Sequence, residues 1–94
     1  MSKQGQIRVA HILVEKHKQA LDVIARIAAG EKFEDVAREL SLDPSRKRGG
    51  DLGFFGKGKM VKEFELAAFE LKVGEMSKEP VKTQFGYHVL MRKS

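Results

Sequence analysis

The sequence predicts an α+β domain with the element order βαααβαββ and a small sheet. Three observations predict it. Residues 7 to 14 alternate with a period of two, three later segments carry apolar stripes at helical spacing, and the chain closes on a hairpin around Gln84-Phe85-Gly86. Strands interrupted by packed helices and followed by a terminal hairpin favour α+β over a doubly wound sheet. No internal repeat, linker or low-complexity segment interrupts the pattern.

The first strand runs from Ile7 to Val14. Ile7, Val9, His11 and Leu13 fall on one face and Arg8, Ala10, Ile12 and Val14 on the other, so both faces are mostly apolar and the strand belongs in the centre of the sheet. From His17 to Ala29 the spacing becomes helical. Ala20, Ile24, Ile27 and Ala28 share a stripe, and Gly30 stands where a helix stops. Phe33, Val36, Ala37 and Leu40 repeat that stripe before Ser41. Asp43-Pro44-Ser45-Arg46 sets a capping carboxylate ahead of a proline, the pattern of one short helical turn. The glycine-rich run from Gly49 to Gly56 reads as a turn entering a short apolar strand, with Lys57-Gly58-Lys59 as the loop leaving it. Phe64, Ala67, Ala68 and Leu71 mark a further helix ended by Val73-Gly74. A strand over Glu79 to Thr83 contains Pro80, which lacks a ladder donor and belongs at an edge or a strand start. Tyr87 to Arg92 closes the sheet with His88 and Leu90 on one face.

Composition bounds what such a domain can do. A chain of 94 residues makes one domain that buries roughly 60–65% of its unfolded surface, enough for one core and one surface site. Its 41% apolar and 33% charged residues suit a folded domain. Cysteine is absent, which excludes disulfides, thiolate zinc sites and a cysteine nucleophile. Residues 1–6 read as a short polar tail without the apolar stretch of a secretion signal, ahead of a domain over residues 7–94. No run reaches membrane-spanning length, and the expectation is a cytoplasmic monomer with no membrane partner. The net charge of +5 is spread out, and no aromatics interleave with Arg46-Lys47-Arg48 or with Lys57, Lys59 and Lys62. Nucleic acid is therefore not expected as the main partner.

The candidate sites follow from residue chemistry. Gly53 to Lys59 meets the spacing of a phosphate loop, but Met60 replaces the magnesium-binding hydroxyl and two phenylalanines occupy the loop. His11 and His88 each interrupt an apolar strand, where an imidazole is costly unless its nitrogens are hydrogen-bonded. As neighbours in one small sheet they would fix each other's tautomer. Adding Asp43 makes a two-histidine, one-carboxylate metal site conceivable, yet no ligand pair has the close spacing that metal sites favour, and no metal or other cofactor is expected. Met60, Phe64, Leu52 and Phe85 gather near glycine-rich bends, as core residues or as the walls of an apolar surface pocket.

Four ordered motifs then carry a resemblance: His-Ile-Leu-Val at 11 to 14, Arg-Gly-Gly-Asp-Leu-Gly-Phe-Phe at 48 to 55, Gly-Lys-Met-Val-Lys-Glu-Phe at 58 to 64 and Phe-Gly-Tyr-His-Val at 85 to 89. Together they resemble the parvulin peptidyl-prolyl cis/trans isomerases over Ile7 to Lys93. The resemblance implies a four-stranded antiparallel sheet surrounded by helices, and an enzyme that turns X-Pro bonds in proline-containing, unfolded or flexible polypeptides. It implies a catalytic set of His11, Asp43, Thr83 and His88, with Leu52, Met60, Phe64 and Phe85 binding substrate. Two departures from phospho-specific members stand out. The loop Glu15-Lys16-His17-Lys18-Gln19 is short and holds no arginine, and Phe85 stands where those members often have serine. The expectation is an isomerase that aids folding without requiring phosphate; the alternative is a chaperone-like peptide-binding domain with little isomerase activity.

Overall fold

The computed structural model describes residues 5–94. The elements follow in the expected order: β1 (Gln6–Val14), α1 (His17–Ala28), α2 (Phe33–Leu40), a 3₁₀ turn (Pro44–Arg48), β2 (Asp51–Gly56), α3 (Lys62–Glu70), β3 (Val81–Thr83) and β4 (Gly86–Arg92). The four strands form one antiparallel sheet in the order β2-β1-β4-β3. This puts β1 in the interior, with Val9, Ala10 and Ile12 fully buried.

The alternation along β1 and β4 feeds two cores. Ala10, Ile12, Val14 and Val89 pack on one face beneath α1 and α2, against Ala20, Val23, Phe33, Val36 and Ala37. Ile7, Val9 and Leu90 face the other way and pack with Phe55, Phe64 and Ala68, the last two from α3. At about 25 cal/mol per Å² of apolar surface removed from water, these two layers are the main favourable term in folding.

Several element ends differ from the sequence reading, each for a local reason. Gln6, assigned to the tail, pairs with Gly56 and starts β1; Met1 to Gln4 of that tail lie outside the described residues. The strand expected from Glu79 begins at Val81, because Pro80 has no N–H to give a ladder. Before it, Met76 bridges Met91 and Ser77 closes onto Leu90 through its N–H (2.8 Å) and its hydroxyl (3.0 Å). Helix α3 stops at Glu70, and Leu71 is extended (φ −73°, ψ 142°) although its apolar stripe continues. The hairpin turn is two residues, since Thr83 pairs with Gly86 and β4 starts there.

Two glycines let other backbone close against β1. Gly86 has φ +139°, and a Cβ there would lie 2.5 Å from the Val14 carbonyl oxygen. Gly50 has φ +87°, and its Cβ would collide with the His11 carbonyl; its own carbonyl accepts the His11 N–H at 2.9 Å. Only glycine meets both demands, positive φ and no side chain. Both contacts hold the stretch of β1 that carries His11.

Candidate active site

His11 on β1 and His88 on β4 lie 77 positions apart in sequence. Register joins them. His11 pairs with Leu90 and Leu13 with His88, so the two histidines are diagonal neighbours on one face, each only 4% exposed. Their rings lie nearly parallel and meet edge to edge, with centroids 5.1 Å apart and planes at 16°, and the two Nδ1 atoms are 2.9 Å apart. Thr83 on β3 brings its Oγ1 to 2.7 Å from His88 Nε2, and the same oxygen accepts the Phe85 N–H at 3.1 Å.

Asp43 reaches this network from the other end. Its Oδ2 accepts the Ser45 N–H at 2.9 Å as the cap of the 3₁₀ turn, and lies 3.3 Å from His11 Nε2. The cap bond is well formed, whereas the contact with the imidazole is a near approach without hydrogen-bond alignment. The carboxylate therefore caps the turn and stands beside the imidazole without bonding to it. Ser41, fully buried, secures the segment: its hydroxyl accepts the Leu13 N–H at 3.1 Å and the Asp43 N–H at 3.3 Å.

Electrostatics select the proton order. Burial lowers the pKa of His11 against the opposing pull of Asp43, and burial together with the neighbouring imidazole lowers His88 to about 4. Both rings are neutral at pH 7. Asp43 stays ionised: burial would raise its pKa, but hydrogen bonding from Ser45 and the adjacent His11 hold it below the usual carboxylate value. A neutral imidazole facing an anion is best placed with its N–H toward it, so His11 carries its proton on Nε2 and accepts at Nδ1. His88 then donates from Nδ1 and accepts the Thr83 hydroxyl at Nε2. The result is a one-way hydrogen-bonded chain running Thr83, His88, His11, with the Asp43 carboxylate beside its far end.

Over this floor lies a cleft of about 320 Å³ lined by His11, Leu13, Asp43, Leu52, Lys59, Met60, Val61, Phe64, Phe85 and His88. Phe64, at the start of α3, presents its ring edge-on to both imidazoles at 5.4 and 5.3 Å. It is 3% exposed and belongs to the core as well as to the cleft wall. Leu52 and Met60 pack half-buried against the same core, while Phe85, at the hairpin tip, is 60% exposed. All eight residues picked from the sequence therefore gather in one place, with Thr83 beneath the cleft rather than in its wall.

Leu13, Val61 and Lys59 were not anticipated. Leu13 shares the His11 face of β1, a signal present in the alternation, and Val61 and Lys59 flank Met60 in sequence. Of the basic stretch 46 to 48, Arg46 donates to the Arg38 carbonyl and Arg48 to that of Asp51. Among the described residues, no group of three metal-capable side chains converges.

The comparisons with known proteins agree with this geometry. The family model described as the PPIC-type PPIase domain matches residues 1–92. The chain belongs to that family, the parvulins. This parvulin domain is 57% identical over 86 residues to the foldase protein PrsA of Geobacillus kaustophilus, covering 90% of the chain and 30% of that relative, so it spans about a third of the foldase. Among solved structures, the solution structure of NmPin, the parvulin of Nitrosopumilus maritimus, superposes with a TM-score of 0.86 at 49% identity, covering 99% of this chain and 100% of the other. Pin from the psychrophilic archaeon Cenarcheaum symbiosum gives 0.86 at 57% identity, covering 100% and 97%. The four-stranded antiparallel sheet with its helices is the parvulin fold.

Proposed function

We propose that this parvulin domain turns X-Pro peptide bonds in unfolded or flexible polypeptides by holding the proline ring in the cup of Leu52, Met60 and Phe64, and that it does so without a phosphate on the substrate. One observation carries the reading: an apolar cleft whose floor is a pair of neutral, mutually hydrogen-bonded imidazoles touched by the ring of Phe64.

The chemistry asked of the site is modest. Rotation about an X-Pro bond breaks amide resonance against a barrier of about 18–20 kcal/mol, and exchange takes tens to hundreds of seconds. A ten-thousandfold acceleration requires about 5.5 kcal/mol, and no bond need form to the protein. The planar amide is more polar than the twisted one, so an apolar cup that strips water from it favours the twisted form. While the ring is clamped, the carbonyl side turns over the polar floor. The Thr83-His88-His11 chain, with the Asp43 carboxylate beside it, offers oriented dipoles there with no mobile charge at neutral pH, a fixed field rather than an acid or base.

Phosphate independence rests on the segment after β1 and on Phe85. The segment joining β1 to α1 is Glu15 and Lys16, and α1 opens with His17, so no guanidinium is there to grip a phosphate bidentately. Phe85 adds an exposed apolar surface beside the cup. A role in aiding folding, and a cytoplasmic monomer, are part of the same proposal; the identity to a foldase supports the first. The test is an exchange assay over proline peptides varied at the preceding residue, with and without phosphoserine. Uncharged apolar residues should give the fastest exchange. A phosphopeptide rate well above theirs would overturn the specificity, and binding without faster exchange would favour a chaperone-like holder.

A further inference from the structure

A second concavity, of about 720 Å³, is larger than the cleft. It lies at the end of β1 against α1 and α2, lined by Val14, Ala25, Leu40 and Leu42 with Glu15, Gln19, Asp22 and Arg26. Two features distinguish it from an ordinary surface hollow. Leu42 is 63% exposed, yet its N–H is bonded to the Leu13 carbonyl at 2.8 Å, so a large apolar side chain is held out to solvent by ordered backbone. The charge there is also opposite to that of the molecule. Arg26, the cation in the lining, is spent on Glu31 and Glu39 at 2.7 and 2.8 Å, which leaves Glu15 and Asp22 as acidic groups in a chain of net charge +5.

The groove lies across the sheet from the substrate site and adjoins it at the end of β1. Along β1, Leu13 lines the cleft and Val14 the groove; after α2, Leu42 lines the groove and Asp43 the cleft. The two concavities share a wall one residue thick in sequence at each of these points. A polypeptide held in the cleft reaches the groove by turning around this end of β1.

We infer that the groove is an exosite for an apolar, positively charged stretch of the same unfolded polypeptide whose proline occupies the cleft. The inference rests on the prolyl-isomerase reading for the tether, though the groove's own affinity can be measured apart from it. Apolar side chains of the substrate cover Leu40 and Leu42, and lysine or arginine beside them meets Glu15 and Asp22. Such binding raises the local concentration of proline at the cleft and lowers KM for long substrates without changing turnover on short ones. Rim charges steer encounter and make the effect salt-sensitive.

The experiment uses the whole chain and a proline-free 15-residue peptide of leucine, valine and lysine, with a glutamate-for-lysine counterpart as control, followed by amide chemical shifts in NMR. The lysine peptide should shift Val14, Gln19, Asp22, Ala25 and Leu42 and leave Phe64 and His88 in place. Charge reversal at two exposed positions, Glu15→Lys with Asp22→Lys, should weaken it about tenfold at low salt. Appending the same peptide to a short proline substrate should lower KM about fivefold to tenfold for the wild type and not for the double variant, each read as a ratio to the untailed substrate. Shifts confined to the cleft, equal binding of the acidic peptide, or concentration-dependent self-association through the groove in place of peptide binding would each overturn the inference. Groove binding with no isomerisation of any peptide would sink the proposed activity instead and leave the exosite standing.

Discussion

On the α1/α2 face of the sheet, β1 and β4 contribute Ala10, Ile12, Val14 and Val89, all apolar and all buried. On the α3 face, the alternate positions of the same two strands contribute Ile7, Val9, His11, His88 and Leu90, so two imidazoles interrupt the apolar layer. The first face is covered by two helices. The second is covered by α3 alone, and the part that α3 leaves open is the cleft. One strand pair thus makes a plain core on one side and a polar-floored pocket on the other, and the difference lies in which parity carries the histidines. Buried imidazoles cost desolvation, which the Thr83 and His-His hydrogen bonds offset.

The largest expected effect breaks this comparison directly. Phe64→Ala should cost about 3–5 kcal/mol of stability, and Ile12→Ala on the opposite face about 2–5 kcal/mol. Their activities should part: the folded fraction of the Phe64 variant loses isomerisation by about a hundredfold or more, since both the cup and the cover of the imidazoles are gone, whereas folded Ile12→Ala remains active. Denaturant unfolding paired with exchange rates at matched folded fraction checks both.

Titration separates the faces next. His11 and His88 bind protons less readily when folded than when unfolded, so the unfolded chain takes up protons first as pH falls. Their contribution is complete above about pH 6.5 and is lost toward about pH 4, where His88 titrates in the folded state. The slope is at most ~1.4 kcal/mol per pH unit for each ring, trimmed where solvent reaches it. Replacing both with leucine should flatten stability at the upper end of that range and leave the slope near pH 4 that Glu31, Glu34 and Glu39 contribute through their lowered pKa values. An unchanged slope would mean that the two rings titrate alike in the folded and the unfolded chain.

Much of this contrast is legible in the sequence, and the limits are physical. Period-two alternation from Ile7 to Val14 assigns every residue of β1 to its face, because side chains alternate strictly along a strand. Asp43-Pro44 marks the 3₁₀ turn through cap chemistry that is local. Register is not local. Nothing near His11 says that it lies diagonal to His88, and only family motifs connected them before the sheet did. The end of α3 was misplaced because Leu71 keeps the apolar stripe while its backbone is already extended. Thr83 and Asp43 were found from the resemblance, whereas the supporting Ser41, with no motif around it, was not. The groove, formed where α1, α2 and the end of β1 meet, has no one-dimensional signature.

Smaller changes sharpen the account within the α3 face. Thr83→Val leaves His88 Nε2 buried without a partner, which should cost about 1–3 kcal/mol and slow isomerisation by about threefold to tenfold as the proton order loosens. Asp43→Asn keeps the cap and removes the charge, so stability should fall by less than in Asp43→Ala, which loses a cap worth about 0.5–2 kcal/mol. Since the carboxylate raises the pKa of His11, the asparagine variant should lower it further, readable by NMR titration of that ring.

The most direct measurement joins contact to turnover in one sample. With a short Ala-Leu-Pro peptide and the intact protein, exchange spectroscopy reports the cis/trans rate, and intermolecular nuclear Overhauser effects report where the ring sits. The account predicts accelerated exchange together with contacts from the proline ring protons to the Met60 methyl group and the Phe64 ring, both lost in Phe64→Ala. Accelerated exchange with the ring elsewhere on the surface, or ring contacts in the cup with exchange no faster than in buffer, would contradict it.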